Sequence, residues 1–502
     1  MKKVLNKKII RLSAAVLCFV LTAALFAGCA GQPTVRPSAS GQPTVDTPTP
    51  TSDTPVPTSD TPTPSTDTPT PTVDTPTPST DTPAPSTVTP TPSTDTPAPS
   101  TDTPTPTVDT TTPSTDTPAP TTGDDKKVVA SFTMLAAGDN LLHSGIVKDA
   151  MEKARPGVDE DFWFDDFYKD VKAQISSVDC AVINQESIIL PKRIWQMLKH
   201  RDDVRDLYIR KDGSFVTPQE MYDTLARLGF DAVDMANNHA LDMGAGGLQW
   251  SLDYLNGRSE MFTFGAYYDE EDRQNIRVAE YNGIKVAFLG YTYDTNVPAD
   301  HARAEEPGYR FLVPVIDDEK MIADLRAARE IADFVAVFVH WGTEYSFEPD
   351  ELQRHTAKVL AENGAGIIIG HHSHTLQPVE YLSDGKGGRV LCAYSLGTLV
   401  SNMMYDMNML AGFLSFRVNL TEDGAVFVSD ALFTPTVFYY DMSFRSSRLL
   451  YLGDLTPEMA ASHGIGNYSE NGKKNTMTVE RLYEYLHGVI DDAFLPEKYR
   501  SA

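Results

Sequence analysis

The chain has 502 residues, with 69 Asp and Glu against 42 Lys and Arg, a formal charge of −27. By segment, +5 falls on residues 1–31 and −9 on 32–123, which leaves −23 on residues 124–502. So acidic a body argues against nucleic acid and anionic lipid as bulk partners, although bound metals would invert the local field at a site for an anionic substrate.

The N-terminus reads MKKVLNKKIIRLSAAVLCFVLTAALFAGC. A basic stretch (Lys2, Lys3, Lys7, Lys8, Arg11) followed by an apolar run is the layout of a secretory signal. The small residues before Cys29 resemble a bacterial lipobox, with Phe26 where Leu is usual. The expectation is a lipoprotein signal peptide over residues 1–28, cleaved before a lipidated Cys29. The other reading is an uncleaved anchor. Both place the remainder at the extracellular face of the cytoplasmic membrane, on a bacterial cell surface. Beyond this region only Cys180 and Cys392 remain, each inside an apolar run, which reads as inert core rather than a disulfide framework.

Residues 29–123 are dominated by Thr, Pro, Ser and Asp, in a unit close to TPTPSTD whose Asp recurs every seven residues. Proline in the repeat forbids helix, and there is no apolar seam for a coiled coil. The segment reads as a disordered, extended stalk, reaching on the order of 250 Å at roughly 3.1 Å per residue. Its Thr density would permit O-glycosylation.

From 130 onward strands and helices alternate. Apolar runs predict strands at 130–137, 179–184, 231–236, 262–266, 276–281, 284–291, 333–339, 366–370 and 389–394. Helical spacing marks 216–229, 319–332, 349–364 and a last helix in TVERLYEYLHGVIDDAF. Asn282-Gly283 reads as a type I′ hairpin turn, and Glu422-Asp423-Gly424 joins a second hairpin. The layout is mixed α/β, not all-parallel.

Six of these apolar runs or their neighbours end in polar clusters: Gly138-Asp139 with His143, Asn184-Gln185-Glu186, Asn237-Asn238-His239, His340-Trp341-Gly342, His371-His372-Ser373-His374 and Tyr394-Ser395-Leu396-Gly397. Buried strands whose C-terminal ends carry such breaks line one site. Carboxylates, amides and several His together suit divalent metals. No G-x-S-x-G elbow, P-loop or dinucleotide fingerprint competes.

GDNLLH, NQE, ANNHALDMG, HWGTEY, GHHSHTLQPVE and YSLG, in this order, resemble the CapA (PgsA) family of poly-γ-glutamate capsule synthesis proteins, from about Thr133 to Asn402. The resemblance implies a calcineurin-like metallophosphoesterase β-sandwich flanked by helices over residues 130–402. A C-terminal hairpin and helical extension, 403–502, would pack on it. It also implies a membrane-attached surface protein that makes, exports or anchors poly-γ-glutamate or a related anionic polymer, with membrane synthase subunits as partners. Three departures stand out: Gln185 where the family has Leu, Ser373 where it has Pro, and Thr398 where it has the Asn of YSLGNF. The loop at 188–215, with Trp195 and several cations, is longer than the family norm and would serve as a lid or partner surface.

The expected metal ligands are Asp139, Glu186, Asn238, His340, His372 and His374, holding two divalent ions (Mn, Zn or Fe). Three have a plainer reading: Asp139 as a helix cap, Glu186 as a surface loop acid, His340 as a satisfied core residue. His372 and His374, two apart on a strand, would point the same way. Asn238 and His239 resemble the Asn-His pair of metallophosphoesterases, in which the Asn binds metal and the His is the general acid. Asp242 would orient His239 or cap the helix at Gly244–Leu248. His143, Asn237, Trp341, Glu344 and His371 complete the expected substrate-binding set, with His143 open to metal or to an anionic oxygen, Trp341 packing or flooring the pocket, and His371 facing away or contacting substrate. His355 reads as surface. The expected chemistry is metal-assisted hydrolysis or transfer on a phosphoester or on a γ-linked glutamyl amide. The alternative is a non-catalytic assembly or tethering subunit that keeps the metal for structure or polymer binding.

Overall fold

The computed structural model describes residues 127–154, 160–194, 215–296 and 309–501. The expected signal peptide, Cys29, the stalk and most of the 188–215 loop lie outside them. In chain order the main strands are β1 (Val128–Asn140), β2 (Cys180–Gln185), β3 (Ile188–Leu190), β4 (Val216–Pro218), β5 (Ala232–Asp234), β6 (Phe262–Phe264), β7 (Arg277–Tyr281) and β8 (Ile284–Thr292). There follow β9 (Phe334–Trp341), β10 (Ile367–His372), β11 (Val379–Ser383), β12 (Arg389–Ala393), β13 (Thr398–Val400), β14 (Leu410–Thr421), β15 (Val426–Tyr439) and β16 (Arg448–Tyr451). All nine strands expected from apolar runs are present. The sheets are mixed, as expected.

One sheet runs β16-β15-β14-β1-β2-β5-β6, with β13 also paired to β1. The other runs β11-β12-β10-β9-β8-β7. β1, β2, β5 and β6 are mutually parallel, as are β8, β9, β10 and β12. Parallel strands are covered on both faces, which is why they read as unbroken apolar runs. The turn between β7 and β8 takes φ values of 52° at Asn282 and 86° at Gly283, the left-handed pair that a type I′ hairpin needs.

The pleat of the second sheet sorts its side chains into two layers. Phe288, Ala336, Phe338, Ile367, Ile369 and Ala393 join the core that includes Phe132, Leu135 and Ile183 of the first sheet. Their sequence neighbours Leu289, Val335, Val337, Ile368 and Cys392 face the helices Asp318–Ile331 and Glu351–Asn363 through Met321, Leu325, Ala357 and Leu360. Two sheets thus share one core, with helices closing the outer layer: a sandwich flanked by helices. Cys180 and Cys392 are buried and neither is in a disulfide. The helix Glu351–Asn363 starts with a capping box between Asp350 and Gln353 and stops at Gly364, where φ is 109°.

The structure adds bounds and placements to the expected elements. Val216–Pro218 extends the helical pattern backwards on paper but pairs as a strand with β3, and the helix begins at Gln219. The hairpin β14–β15 is part of the first sheet, since β14 runs antiparallel to β1 from Ala137↔Phe413 to Ala130↔Leu420. The final helix is Val479–Val489, with Leu482 and Leu486 in the shared core.

Candidate metal centre

The C-terminal ends of β1, β2 and β5 from one sheet meet those of β9 and β10 from the other. Asp139 sits at a register shift near the end of β1, beside Asn184 on β2 and Thr398 on β13. It is fully buried. Asn184 Nδ2 donates to Asp139 Oδ1 at 2.7 Å, the His372 backbone N–H donates to Oδ2 at 3.3 Å, and His371 Nδ1 lies 3.0 Å from Oδ1. Burial works to raise its pKa, but the His371 and His374 imidazoles outweigh it and hold the carboxyl well below its usual range.

Glu186 follows β2 and is also fully buried, with both carboxylate oxygens lacking a hydrogen-bond partner. Its Oε1 lies 3.3 Å from His340 Nε2 and 3.6 Å from His374 Nε2. Burial pushes the carboxyl up to about 8. His374 moves the same way, to about 9, because Glu186 and Asp139 overcome the desolvation that opposes its charge. His340 and His372 are driven down by burial, His372 to about 2, so both are neutral and able to donate a lone pair.

Ligand atoms of Glu186, His372 and His374 lie within 4.8 Å of one another, and so do those of Asp139, Glu186 and His340. The two groups share Glu186. Asn238 Oδ1 lies 2.9 Å from His340 Nε2, so all six expected ligands converge. The orphaned Glu186 oxygens and the partnerless His372 Nδ1 are donors that a divalent cation would satisfy. Carboxylate, amide and imidazole are the ligand types such a cation takes, so the residues fit the expected metal.

The route by which the His pair arrives differs from strand alternation. On β10, Ile367 and Ile369 face the shared core, so His371 continues that face and packs on Phe338 with ring centroids 6.2 Å apart. His372 would then point to the helices. Instead φ is 88° at His372 and 55° at His374, and these left-handed turns end the pleat. Such strain in non-glycine residues is characteristic of functional sites. His371 therefore presses on Asp139 from inside and is wholly buried, as its facing-away alternative has it.

Strand parity likewise gives Trp341 the packing alternative. His340 follows Phe338 on the inner face, and Trp341 follows Val339 on the outer one, where its indole N–H donates to the Tyr394 carbonyl at 2.9 Å. Asn237 is buried: its Nδ2 donates to the Gln185 carbonyl at 2.9 Å and its Oδ1 accepts from the His239 backbone N–H at 3.1 Å. It shapes the loop that carries Asn238 and His239.

His239 is 8% exposed, with Nδ1 2.9 Å from Asp242 Oδ2. The helix Gly244–Asn256 has no side-chain cap, so Asp242 orients His239 and does not cap. Asp242 is itself fixed by the Phe215 backbone N–H at 2.6 Å, and the Phe215 ring meets His239 edge-on at 4.7 Å and His143 at 4.9 Å. Burial lowers His143 to about 4, helped by the nearby charges of His374 and His239. Glu344 is exposed beside Tyr345, whose ring lies 6.3 Å from His374. His355 lies on the surface against Asp318.

Sequence reasoning missed three positioning residues. Asn184 bridges Asp139 and Asn237, Tyr293 covers His372 at 4.5 Å, and Thr398 Oγ1 lies 3.0 Å from His374 Nδ1. Thr398 is the residue that departs from the family pattern, so that departure was its signal. Gln185, another departure, belongs to a buried network: it accepts from Asn140 Nδ2 at 2.7 Å and donates to Ser187 Oγ at 2.6 Å.

A two-sheet α/β sandwich with a buried carboxylate–imidazole cluster where its strand ends meet is the class of protein these observations define. Residues 133–403 match the model of the bacterial capsule synthesis protein family PGA_cap, and the chain belongs to that family. It is 35% identical over 185 residues to the PGA biosynthesis protein CapA of Bacillus subtilis (strain 168), covering 37% of this chain and 46% of that one. It is 32% identical over 182 residues to the capsule biosynthesis protein CapA of Bacillus anthracis, covering 36% and 43%. The match thus spans somewhat under half the length of these curated relatives. Among solved structures, Haemophilus influenzae NAD nucleotidase (NadN) aligns over 72% of this chain and 60% of its own, at 12% identity and a TM-score of 0.34. At that score the likeness carries no argument, and the fold stands on the strand order above.

Proposed function

We propose that this protein takes part in making, exporting or anchoring poly-γ-glutamate or a related anionic polymer. In this reading a lipid on Cys29 holds it at the extracellular face of the cytoplasmic membrane, the Thr/Pro segment spaces it from the surface, and membrane synthase subunits are its partners. Asp139, Glu186, Asn238, His340, His372 and His374 would hold two divalent ions, Mn, Zn or Fe. The observation that carries this reading is Glu186: a fully buried carboxylate with two unpartnered oxygens, common to both ligand groups.

Bound there, the ions would supply Lewis-acid activation of water and neutralise charge on the reacting group. The chain's own part is positional. Asp242 fixes the His239 ring by its Nδ1, leaving Nε2 to deliver a proton to a leaving group. Phe215 shields that ring from water on one side. The reaction is hydrolysis or transfer, on a phosphoester or on the amide of a γ-linked glutamyl chain. The depth of the ligands, with His340 at 0% and His372 and His374 at 3% exposure, favours a second reading, a tethering subunit whose metal serves structure or polymer binding.

One experiment separates them. The Mn-loaded full-length protein is incubated with poly-γ-glutamate and, separately, with a nitrophenyl phosphodiester, with Asp139→Asn as control. Chain shortening or nitrophenol release that Asp139→Asn abolishes supports catalysis. Turnover of neither, by protein that retains metal, supports the tether.

A further inference from the structure

Beside the candidate metal centre, on the far side of His143, lies a cavity of about 380 Å³. Its wall includes Ser144, Gly145, Lys148, Asn402 and Arg445. Three features converge on it.

The helix Ser144–Glu152 starts at this cavity. It is nine residues long, with no side-chain cap and no acid in its first turn. The Ile146 and Val147 N–H groups bond the His143 carbonyl, so the Ser144 and Gly145 N–H groups and the positive end of the dipole are what the helix offers an anion. Asn402 is only 4% exposed, yet among the described residues neither Nδ2 nor Oδ1 has a partner at normal hydrogen-bond distance, although its side chain approaches the Tyr440 hydroxyl. The nearby Tyr440 hydroxyl donates to the Met403 carbonyl. A buried, unsatisfied amide is costly unless a ligand completes it. Gly145 lets Asn402 come this close: a Cβ there would sit 2.6 Å from Asn402 Oδ1.

The third feature is charge. Two acids also line the cavity, but both are engaged. Asp149 Oδ2 is held by Lys153 at 2.9 Å and by the Ser447 N–H at 2.8 Å, and Glu152 is held by Arg445 at 2.7 and 3.0 Å. Lys148 is left with no ion-pair partner among the described residues. One free cation, one amide and a helix start suit a monoanion. A dianionic phosphate would meet the two acids at close range and lack the cationic fork it needs.

We infer that this cavity is a carboxylate-binding subsite, which holds an anionic side group of the substrate while His143 separates it from the reacting centre. The inference deepens the proposed function and rests on its premise that the centre acts on a polymer. His143 is common to both compartments: the Asn402 backbone N–H reaches its Nδ1 at 3.4 Å, and its ring meets Phe215, which also packs on His239. A substrate with a carboxylate one side-chain length from the reacting bond would fill both.

The test uses full-length, EDTA-treated protein and ligand-observed NMR, with butyrate, butyramide and inorganic phosphate as probes. Butyrate should bind at least 10-fold more tightly than butyramide and more tightly than phosphate. Lys148→Ala, an exposed position that folding tolerates, should weaken butyrate about 3- to 5-fold, as loss of one half-screened charge predicts. Asn402→Asp should weaken it more than 10-fold. Asp139→Asn should leave butyrate binding unchanged, which keeps this result independent of the metal reading. Equal binding of butyrate and butyramide, no effect of Lys148→Ala, or tighter binding of phosphate would each overturn the inference.

Discussion

Glu186 offers a quantitative test that needs no substrate. Its carboxyl is pushed from an ordinary value of 4.5 to about 8 by burial, and among the described residues neither oxygen has a hydrogen-bond partner. The sign follows from linkage. Between pH 4.5 and 8 the folded, metal-free protein keeps a proton on Glu186 that the unfolded chain has released. Its stability therefore falls as pH rises through that window, by about 1.4 kcal/mol per pH unit from this group. From pH 5 to 7.5 the loss amounts to roughly 3 kcal/mol. Glu186→Gln removes that contribution while keeping shape and burial. Urea denaturation of EDTA-treated full-length protein at intervals from pH 5 to 8 should give the variant the shallower slope and the higher stability at pH 7.5. Adding Mn should stabilise the natural protein increasingly as pH rises, because the metal displaces that proton, and should stabilise the variant much less. Parallel pH slopes for the two proteins, or equal stabilisation by Mn, would refute the reasoning that Glu186 is an unsatisfied buried acid awaiting a cation.

His372→Ala and Asp139→Asn should each remove bound metal from the purified protein, measured by elemental analysis, whereas His239→Ala should keep the metal and lower any turnover by about 10²–10⁴-fold. Asp242→Asn should lower turnover with metal content unchanged, since it frees the His239 ring to adopt the other tautomer. Gly370→Ala should cost several kcal/mol or prevent folding, roughly the penalty of overpacking a rigid core, because a Cβ there would sit 1.9 Å from the Tyr394 carbonyl oxygen; denaturant midpoints would show it. Mass spectrometry of membrane-extracted protein should find a lipid on Cys29, and a chain beginning at Asp124 should have the same urea midpoint as the full-length protein.

The sequence by itself determined the strands and the ligand types. Val335, Val337 and Val339 alternating with Ala336 and Phe338 can only be a strand covered on both faces, and Asn282-Gly283 has one favoured turn geometry, so local chemistry suffices there. It also put Asp139, Glu186, Asn238 and His340 next to strand ends, where a shared edge would gather them. The direction each side chain takes at that edge was decided by tertiary structure alone. Strand parity sends His340 inward and Trp341 outward, but parity cannot be assigned until it is known which face meets the other sheet. The left-handed backbone at His372 and His374 has no local sequence cause such as glycine; it persists because Asp139, Thr398 and Glu186 hold those residues from other strands. The pairing of Asn402 with Gly145 likewise joins residues more than two hundred and fifty positions apart, and no pattern along the chain encodes it. Periodicity records what each residue does within its own element. Contacts between elements depend on register and on the packing of the two sheets, which the whole molecule sets together.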